Sequence, residues 1–100
     1  MSYRLDFHED VAGDYLDAYT WYENAKEGLG ERFLKMVRLK LTQIAKNPEA
    51  FSQKTKSGYR AAAVEVFPYI IVYKLYKKEK VIFINSVIHQ KKHPRKRHRK

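Results

Sequence analysis

The sequence predicts an α+β domain in two layers, in which an N-terminal strand and a helix hairpin pack on one face of a four-stranded, mainly antiparallel sheet. Two apolar helical stripes in the first half and three strand-like segments in the second half indicate this order. Strands joined by short turns pair antiparallel, and a helix hairpin buries its apolar stripe against a sheet. A chain of 100 residues has the size of one domain with one core.

The first two elements are a short strand and a helix. Residues 3–7 alternate polar and apolar side chains between two aromatic ends, which predicts the strand. Apolar residues then recur at helical spacing from Val11 to Tyr22, so we predict an amphipathic helix over residues 10–25. Acidic residues in its first turn favour this assignment, because they interact well with the positive end of the helix dipole.

Gly28 and Gly30, which can both adopt positive φ, separate this helix from a second one predicted over residues 30–46. Its apolar stripe repeats every three or four residues and consists of Leu29, Phe33, Val37, Leu41 and Ile44. The predicted solvent sides carry the cations Arg32, Lys35, Arg38 and Lys40. Asn47-Pro48 ends the helix, because the residue before a proline avoids the helical conformation.

Three further strands are predicted over residues 59–66, 69–76 and 81–89. The last two are rich in β-branched and aromatic residues and are joined by the charged turn 77–80. Pro68 separates the first two, because proline cannot donate to the ladder of a central strand. The second and third of these strands are therefore expected at the centre of the sheet.

The last strand indicates which face of the sheet the helices cover. By strict alternation Ile82, Ile84 and Ile88 share one face, which we expect to pack under the helices. The opposite face carries Asn85 and His89 and is expected to stay open. An open face of this kind is either a partner site or a surface covered by the C-terminal tail or a second copy.

The composition excludes several classes of protein. Without cysteine the chain can form neither disulfides nor thiolate metal sites. Its apolar fraction of 44% and aromatic fraction of 14% are typical of a folded domain. The N-terminus lacks the apolar run of a signal peptide, and no stretch approaches the ~18 apolar residues of a membrane span. We therefore expect a soluble cytoplasmic protein.

The net charge of +10 arises entirely in the second half of the chain. Residues 1–50 hold seven Lys and Arg and nine Asp and Glu, whereas residues 51–100 hold fourteen and two. This asymmetry predicts an anionic partner, and its alternative is a surface that only confers solubility. We expect one domain over residues 1–90, followed by a basic tail over residues 91–100.

Six short motifs are spread over nearly the whole chain: W-Y at Trp21-Tyr22, G-x-x-F from Gly30 to Phe33, N-P at Asn47-Pro48, Y-R at Tyr59-Arg60, F-P-Y-x-I-x-Y from Phe67 to Tyr73, and V-x-H-x-x-x-x-P from Val87 to Pro94. Together they resemble the RelE/ParE superfamily of bacterial toxins, the toxic halves of type II toxin–antitoxin modules. No single motif is specific. The F-P-Y strand and the His-to-Pro ending are most similar to the ParE or plasmid stabilisation branch.

The resemblance implies a small toxin that an acidic antitoxin, encoded beside it, holds inactive in a hetero-oligomer. ParE-like members inhibit DNA gyrase, whereas RelE-like members cleave mRNA in the ribosomal A site. We predict ParE-like inhibition of gyrase and therefore growth inhibition. RelE-like mRNA cleavage and a non-toxic nucleic-acid-binding module remain the alternatives. The resemblance implies neither a cofactor nor a membrane partner.

RNA cleavage without a metal needs a proton acceptor, a proton donor and a cation beside the phosphate. Arg60 can supply the cation, because its planar guanidinium suits phosphate, and His89 can act as acid or base. Lys54 and Lys56 can bind phosphate. Glu65 is a candidate base, but strict alternation places it on the face opposite Arg60, and only a bulge would reunite them. The incomplete set favours a binding surface over an enzyme.

The RNase branch often carries a tyrosine at the end of the last strand, where this chain has Gln90 after His89. Each candidate also has a structural alternative: a backbone hydrogen bond for His89, and an ion pair or tyrosine stacking for Arg60. The residues expected to contact a target or nucleic acid are Lys54, Lys56, Arg60, His89, Lys91, Lys92 and Arg95.

The histidines do not predict a metal site. Three of the four lie in or beside the basic tail, and the set is His8, His89, His93 and His98. Seven cations between positions 91 and 100 would repel a divalent ion, and no carboxylate lies near them in sequence.

Overall fold

In a computed structural model, which describes residues 3–91, the chain forms the two-layer α+β fold predicted from its sequence. The elements in chain order are β1 Arg4–Phe7, α1 Val11–Ala25, α2 Leu29–Lys46, β2 Tyr59–Ala63, β3 Tyr69–Tyr76 and β4 Val81–His89. Both helices begin within one residue of the prediction, and β3 and β4 have the predicted bounds.

The four strands form one mixed sheet in the order β1-β4-β3-β2. The pairs β2 with β3 and β3 with β4 are antiparallel, whereas β1 runs parallel to β4 with Leu5 opposite Ile82. The two strongest predicted strands, β3 and β4, therefore occupy the centre, and the short strands β1 and β2 form the edges.

Close contact between the two helices depends on the turn that joins them. Gly28 adopts a φ of 87°, which glycine takes without strain. Gly30 is needed for a different reason, because a Cβ at that position would lie 2.7 Å from the Tyr19 backbone oxygen. The Glu23 carboxylate accepts hydrogen bonds from the backbone N–H groups of Gly28 and Gly30, both at 2.9 Å. It thus satisfies donors that the start of α2 leaves free.

The core lies between the helix hairpin and one face of the sheet. The predicted stripe of α2 points into it, with Phe33 and Ile44 fully buried. Stacked and edge-on aromatic contacts join Tyr22 of α1, Phe33, Phe67 and Tyr69, with ring centroids 4.8 to 6.1 Å apart. Such pairs contribute roughly 0.5–1.5 kcal/mol each beyond the burial of their area.

A bulge in β4 corrects the prediction of which residues face the helices. Val72 pairs with Ser86 but Tyr73 pairs with Ile84, so Asn85 is an extra residue in β4. Strict alternation is therefore interrupted at this point. Residues before the bulge, such as Ile84, face the helices as predicted, but beyond it Val87 joins the helix-side core. Ile88, predicted to face the helices, belongs to a separate cluster on the other face.

The predicted strand 59–66 is shorter than expected, because β2 ends at Ala63. Beyond it Val66 adopts a φ of 76°, an unusual conformation for a β-branched residue, and this turns the chain out of the strand. The backbone N–H of Val64 still donates to the Tyr69 oxygen at 2.9 Å, which closes the connection to β3.

Lys40, predicted on a solvent side of α2, is only 5% exposed. Its ammonium group donates to the Glu65 carboxylate at 3.0 Å and to Gln43 at 2.9 Å, and it lies 5.3 Å from the centre of the Phe51 ring. A buried ammonium requires such partners, and they join α2 to the segment after β2.

Candidate functional site

Arg60 lies on the helix side of the edge strand β2, half-buried and already engaged. Its guanidinium donates to the backbone oxygen of Phe51 at 2.7 Å. Across the ladder it faces Tyr73, whose hydroxyl donates to the Pro48 oxygen, also at 2.7 Å. The observed contacts give Arg60 a structural role in holding the segment that follows α2.

His89 is the last residue of β4 and is half-buried. Its Nδ1 accepts a hydrogen bond from the Lys91 backbone N–H at 3.1 Å, and its ring meets that of Tyr69 edge-on with centroids 5.4 Å apart. The prediction placed His89 on the open face. The bulge at Asn85 turns it instead toward the helix side, where Tyr69 packs against the core.

The ladder separates Arg60 and His89. Arg60 pairs with Tyr73 on one side of β3, and His89 pairs with Tyr69 on the other side. Two strand spacings and four residues along β3 put their Cα atoms about 16 Å apart. The guanidinium also donates a hydrogen bond to the Phe51 backbone oxygen, so the side chains of Arg60 and His89 do not converge on a single phosphodiester.

Glu65 does not complete a catalytic group with these residues. The prediction that it lies on the face opposite Arg60 assumed a strand through residue 66, but β2 ends at Ala63. Its carboxylate pairs with Lys40 of α2 at 3.0 Å. Glu65 therefore contacts Lys40 of α2, whereas Arg60 contacts Phe51 in the segment after α2. No bulge in β2 brings the two side chains together, because the strand ends before Glu65.

The predicted cationic residues divide between two ends of the sheet. Lys54 and Lys56 are exposed in the loop that leads into β2, and the Lys54 backbone N–H donates to the Tyr59 oxygen at 2.7 Å. Lys91 is exposed at the far end, after β4. Lys92 and Arg95 lie outside the described residues. The predicted set is thus not one surface.

Sequence reasoning missed a cation held between two aromatic rings. Lys74 on β3 lies 5.5 Å from the ring centre of Tyr59 and 5.5 Å from that of Tyr76. Of the three tyrosines of β3, Tyr69 and Tyr73 pack into the helix-side core. Tyr76 is 41% exposed on the other face, and its odd spacing from the other two was the available signal.

A second missed feature is an apolar groove between α1, α2 and the end of β1. It comprises three adjoining cavities of about 270, 320 and 280 Å³. Tyr15 lines all three, and Phe7, 46% exposed, and Leu16, 63% exposed, present apolar surface there. We call this surface the hairpin groove. Because its lining comes from three elements, the periodicity of one element does not reveal it.

Burial changes the acidity of two tyrosines near these surfaces. It raises the pKa of Tyr73 to about 12, opposed in part by the positive charge of Arg60. Burial also raises the pKa of Tyr15, which the charge of Arg38 lowers and that of Asp14 raises further. The buried Tyr15 hydroxyl has no hydrogen-bond partner among residues 3–91.

Within the described part of the chain, no group of three His, Cys, Asp or Glu residues is arranged to hold a metal ion. His8 instead accepts a hydrogen bond from the Asp10 backbone N–H at 3.0 Å, and His93 and His98 fall outside residues 3–91. Neither helix between residues 3 and 91 has the length and apolarity that a membrane crossing requires.

Comparison with known proteins gives one family and several similar structures. Residues 5–94 match the family model described as the ParE toxin of the type II toxin–antitoxin system parDE. No curated protein sequence matches the chain significantly.

Among solved structures, one from the chromosomal ParDE toxin–antitoxin system of P. aeruginosa superposes with a TM-score of 0.77. The alignment is 14% identical and covers 88% of this chain and 96% of that one. The isolated E. coli RelE toxin gives a TM-score of 0.68 at 20% identity, covering 95% and 92%. A chain of the intact E. coli RelBE toxin–antitoxin complex gives 0.68 at 19% identity, covering 91% and 100%. These similarities confirm the predicted fold.

Proposed function

The chain belongs to the ParE toxin family of type II toxin–antitoxin systems, and from this premise we propose that it inhibits growth by binding DNA gyrase. Binding of this kind needs neither a cofactor nor chemistry on nucleic acid. Gyrase and the ribosome are both cytoplasmic, so we place the action of the protein in the cytoplasm. RelE-like cleavage of mRNA is the second candidate, because Arg60 and His89 have side chains that could serve it.

The separation of Arg60 from His89 carries the preference for binding over cleavage. General acid–base catalysis requires groups within hydrogen-bond reach of the same reacting atoms. Arg60 donates a hydrogen bond to the Phe51 backbone oxygen, and His89 accepts one from the Lys91 backbone N–H. Strand spacing places the Cα atoms of Arg60 and His89 about 16 Å apart. Glu65, the remaining candidate base, is paired with Lys40. These contacts support structural and surface roles for the three residues.

The proposed target-contacting surface is the end of the sheet at His89 and Lys91, and Lys92 and Arg95, which follow in sequence outside the described residues, are proposed as further contacts. The half-buried His89 and exposed Lys91 follow the central strand β4. The cations at this end would attract an acidic protein surface over a range set by ionic strength. Arg60, Lys54 and Lys56 lie toward the other end and are proposed as secondary contacts.

We place the antitoxin in the hairpin groove rather than on the sheet face away from the helices, which was predicted to be open but is largely buried around Ile88. On that face the apolar cluster Ile70, Val72 and Ile88 is at most 8% exposed, so it offers little area to an apolar segment. Phe7 and Leu16 in the groove are 46% and 63% exposed. An amphipathic helix laid in a groove buries such side chains. Arg38, Glu31 and Glu9 all line the groove, so its exposed apolar side chains rather than its charge support this placement of the antitoxin.

The test is graded expression of the full chain and its His89→Ala variant without antitoxin. Loss of one surface contact weakens binding about fivefold, so we expect the variant to arrest growth at a slightly higher expression level. Removal of a general acid or base would reduce activity roughly a hundredfold to ten-thousandfold. A variant that is non-toxic at full, soluble expression would contradict the binding proposal. Normal growth with the unaltered chain would leave only the non-toxic nucleic-acid-binding alternative.

A further inference from the structure

Two tyrosines and a lysine form a row on the sheet face that points away from the helices. Tyr59 begins β2 and stands opposite Lys74 of β3, and Tyr76 follows two residues later on the same face. The Lys74 ammonium lies 5.5 Å from each ring centre. We call Tyr59, Lys74 and Tyr76 the tyrosine–lysine row. Its geometry fixes one cation between two flat aromatic surfaces.

The row is accessible and its charge is not neutralised by a carboxylate. Tyr76 is 41% exposed, and Tyr59 and Lys74 are half-buried. None of the ion pairs among residues 3–91 includes Lys74. Among residues 3–91 the ammonium contacts two aromatic rings and no carboxylate, so it remains available to an anion.

More cations surround the row on both sides. The loop before β2 and the turn after β3 bring exposed lysines to the same end of the sheet, namely Lys54, Lys56, Lys77, Lys78 and Lys80. Glu49 neutralises Lys77 at 2.6 Å, Asp6 on the same sheet face is paired with Arg4 at 3.1 Å, and Glu79 lies in the turn after β3. The remaining excess of positive charge produces a potential that favours a polyanion over a neutral ligand.

The combination of flat rings and cations identifies the polyanion. Bases of a single strand stack on aromatic side chains, each contributing roughly 1–3 kcal/mol, while cations track the backbone. An acidic peptide would use the cations but gain nothing from the ring faces. A duplex would keep its bases stacked inside and out of reach. The apolar cluster beside the row is buried, so it does not favour an apolar segment there.

We propose that the tyrosine–lysine row binds single-stranded nucleic acid. This is a second binding surface, distinct from the hairpin groove and from the sheet end at His89. The row contains no histidine or carboxylate, so binding there involves no cleavage. It does not depend on the proposed target of the toxin, because its test measures binding and not growth.

Fluorescence anisotropy of a short fluorescein-labelled oligothymidylate, titrated with the full chain, tests the proposal. Tyr76→Leu and Tyr59→Leu should each weaken binding about tenfold, the loss expected for one stacked base. Tyr76→Trp should bind at least as tightly as the unaltered chain. Lys74→Gln should weaken binding and reduce its salt dependence, because one phosphate contact is lost. Circular dichroism of each variant verifies that the fold is retained.

Two substitutions elsewhere serve as matched controls. Tyr19→Leu removes a tyrosine that lines the hairpin groove, and Lys46→Gln removes an exposed cation at the end of α2. Neither should change the affinity for oligothymidylate by more than about twofold, since neither residue touches the row.

Three outcomes would overturn the proposal. Unchanged affinity in both Tyr→Leu variants would show that binding is electrostatic and lies elsewhere, for example in the basic tail. If a duplex with the same number of phosphates binds as tightly as the single strand, stacking of bases on the tyrosines does not contribute to binding. If the same variants also bind polyglutamate more weakly, and by the same factor as oligothymidylate, the row would be a site for acidic proteins instead.

Discussion

Tyr73 links the central strand β3 to the segment after α2, and its titration makes stability depend on pH. Its hydroxyl donates to the Pro48 oxygen at 2.7 Å, and burial raises its pKa to about 12. The unfolded chain loses this proton near pH 10 but the folded chain only near 12. The raised pKa therefore contributes stability that is complete below pH 10 and is lost as pH rises toward 12.

We predict that Tyr73→Phe lowers the free energy of unfolding by about 1 kcal/mol near pH 7, because the buried Pro48 oxygen loses its donor. Between pH 10 and 12 the unaltered chain should lose stability faster than the variant, and because two pKa units correspond to about 2.7 kcal/mol, the difference between them should shrink and then reverse. Urea unfolding at a series of pH values measures both. A difference that stays constant up to pH 12 would show that Tyr73 does not titrate as described.

Val66 and Lys40 show what single residues do outside the periodic pattern. The positive φ of Val66 and the burial of Lys40 both arise where the chain leaves β2 and meets α2. Neither feature has a local signal, since valine favours strands and a lysine on a helix is expected in solvent. The sequence therefore predicted a strand through residue 66 and a solvent-facing Lys40, and both predictions were wrong.

At the scale of elements, the packing of α1 on α2 rests on Gly30, and Gly13 within α1 provides the comparison. A Cβ on Gly30 would lie within 3.0 Å of Tyr19 and Glu23 atoms, including a backbone oxygen that cannot move freely. A Cβ on Gly13, within α1, would meet nothing within 4 Å. Substitution of Gly30 tests the close approach of the two helices, whereas substitution of Gly13 tests helix propensity alone.

We predict opposite effects of the same substitution at these two positions. Gly30→Ala should lower the free energy of unfolding by about 1–3 kcal/mol, because the helices must separate. Gly13→Ala should raise it by about 0.5–1 kcal/mol, because alanine loses less backbone entropy in a helix. Midpoints of denaturant unfolding measure both changes. Equal stability of Gly30→Ala and the unaltered chain would contradict the close packing.

Element types and most boundaries were predictable because apolar periodicity is a local property. The stripe of α2 determined its buried face directly, and the alternation of β4 did so for the residues before its bulge. The bulge at Asn85 was not predictable in this way, because it depends on the register between β3 and β4. It moved Ile88 and His89 to faces opposite those expected, and with His89 it altered the candidate site.

At the scale of the whole molecule, the candidate functional surfaces are formed by residues distant in sequence. The sequence supplied Arg60 and His89 as candidates, but their positions on opposite sides of β3 follow from strand order. The hairpin groove and the tyrosine–lysine row each combine two or more elements. Residue types alone could identify the family and the cationic character of the second half of the chain. They could not show which side chains lie in contact with one another.

The hairpin groove leads to a prediction about neutralisation by the antitoxin, taken as the short acidic protein encoded beside this chain. Leu16→Asp should keep toxicity but reduce rescue by the antitoxin at least tenfold, because a buried apolar contact is replaced by an unpaired charge. Trp21→Asp is the matched control, since Trp21 is 71% exposed on α1 and does not line the groove. Co-expression and growth measure both, and equal rescue of the two variants would place the antitoxin elsewhere.

The measurement that tests the central claim most directly is DNA supercoiling by gyrase in the presence of the purified full chain. We predict a dose-dependent loss of ATP-driven supercoiling, and intact transcripts when the same preparation is assayed by primer extension on translated mRNA. Addition of the cognate antitoxin should restore supercoiling. Unchanged supercoiling together with codon-registered cuts in the mRNA would contradict the account and identify the protein as a ribosome-dependent endoribonuclease.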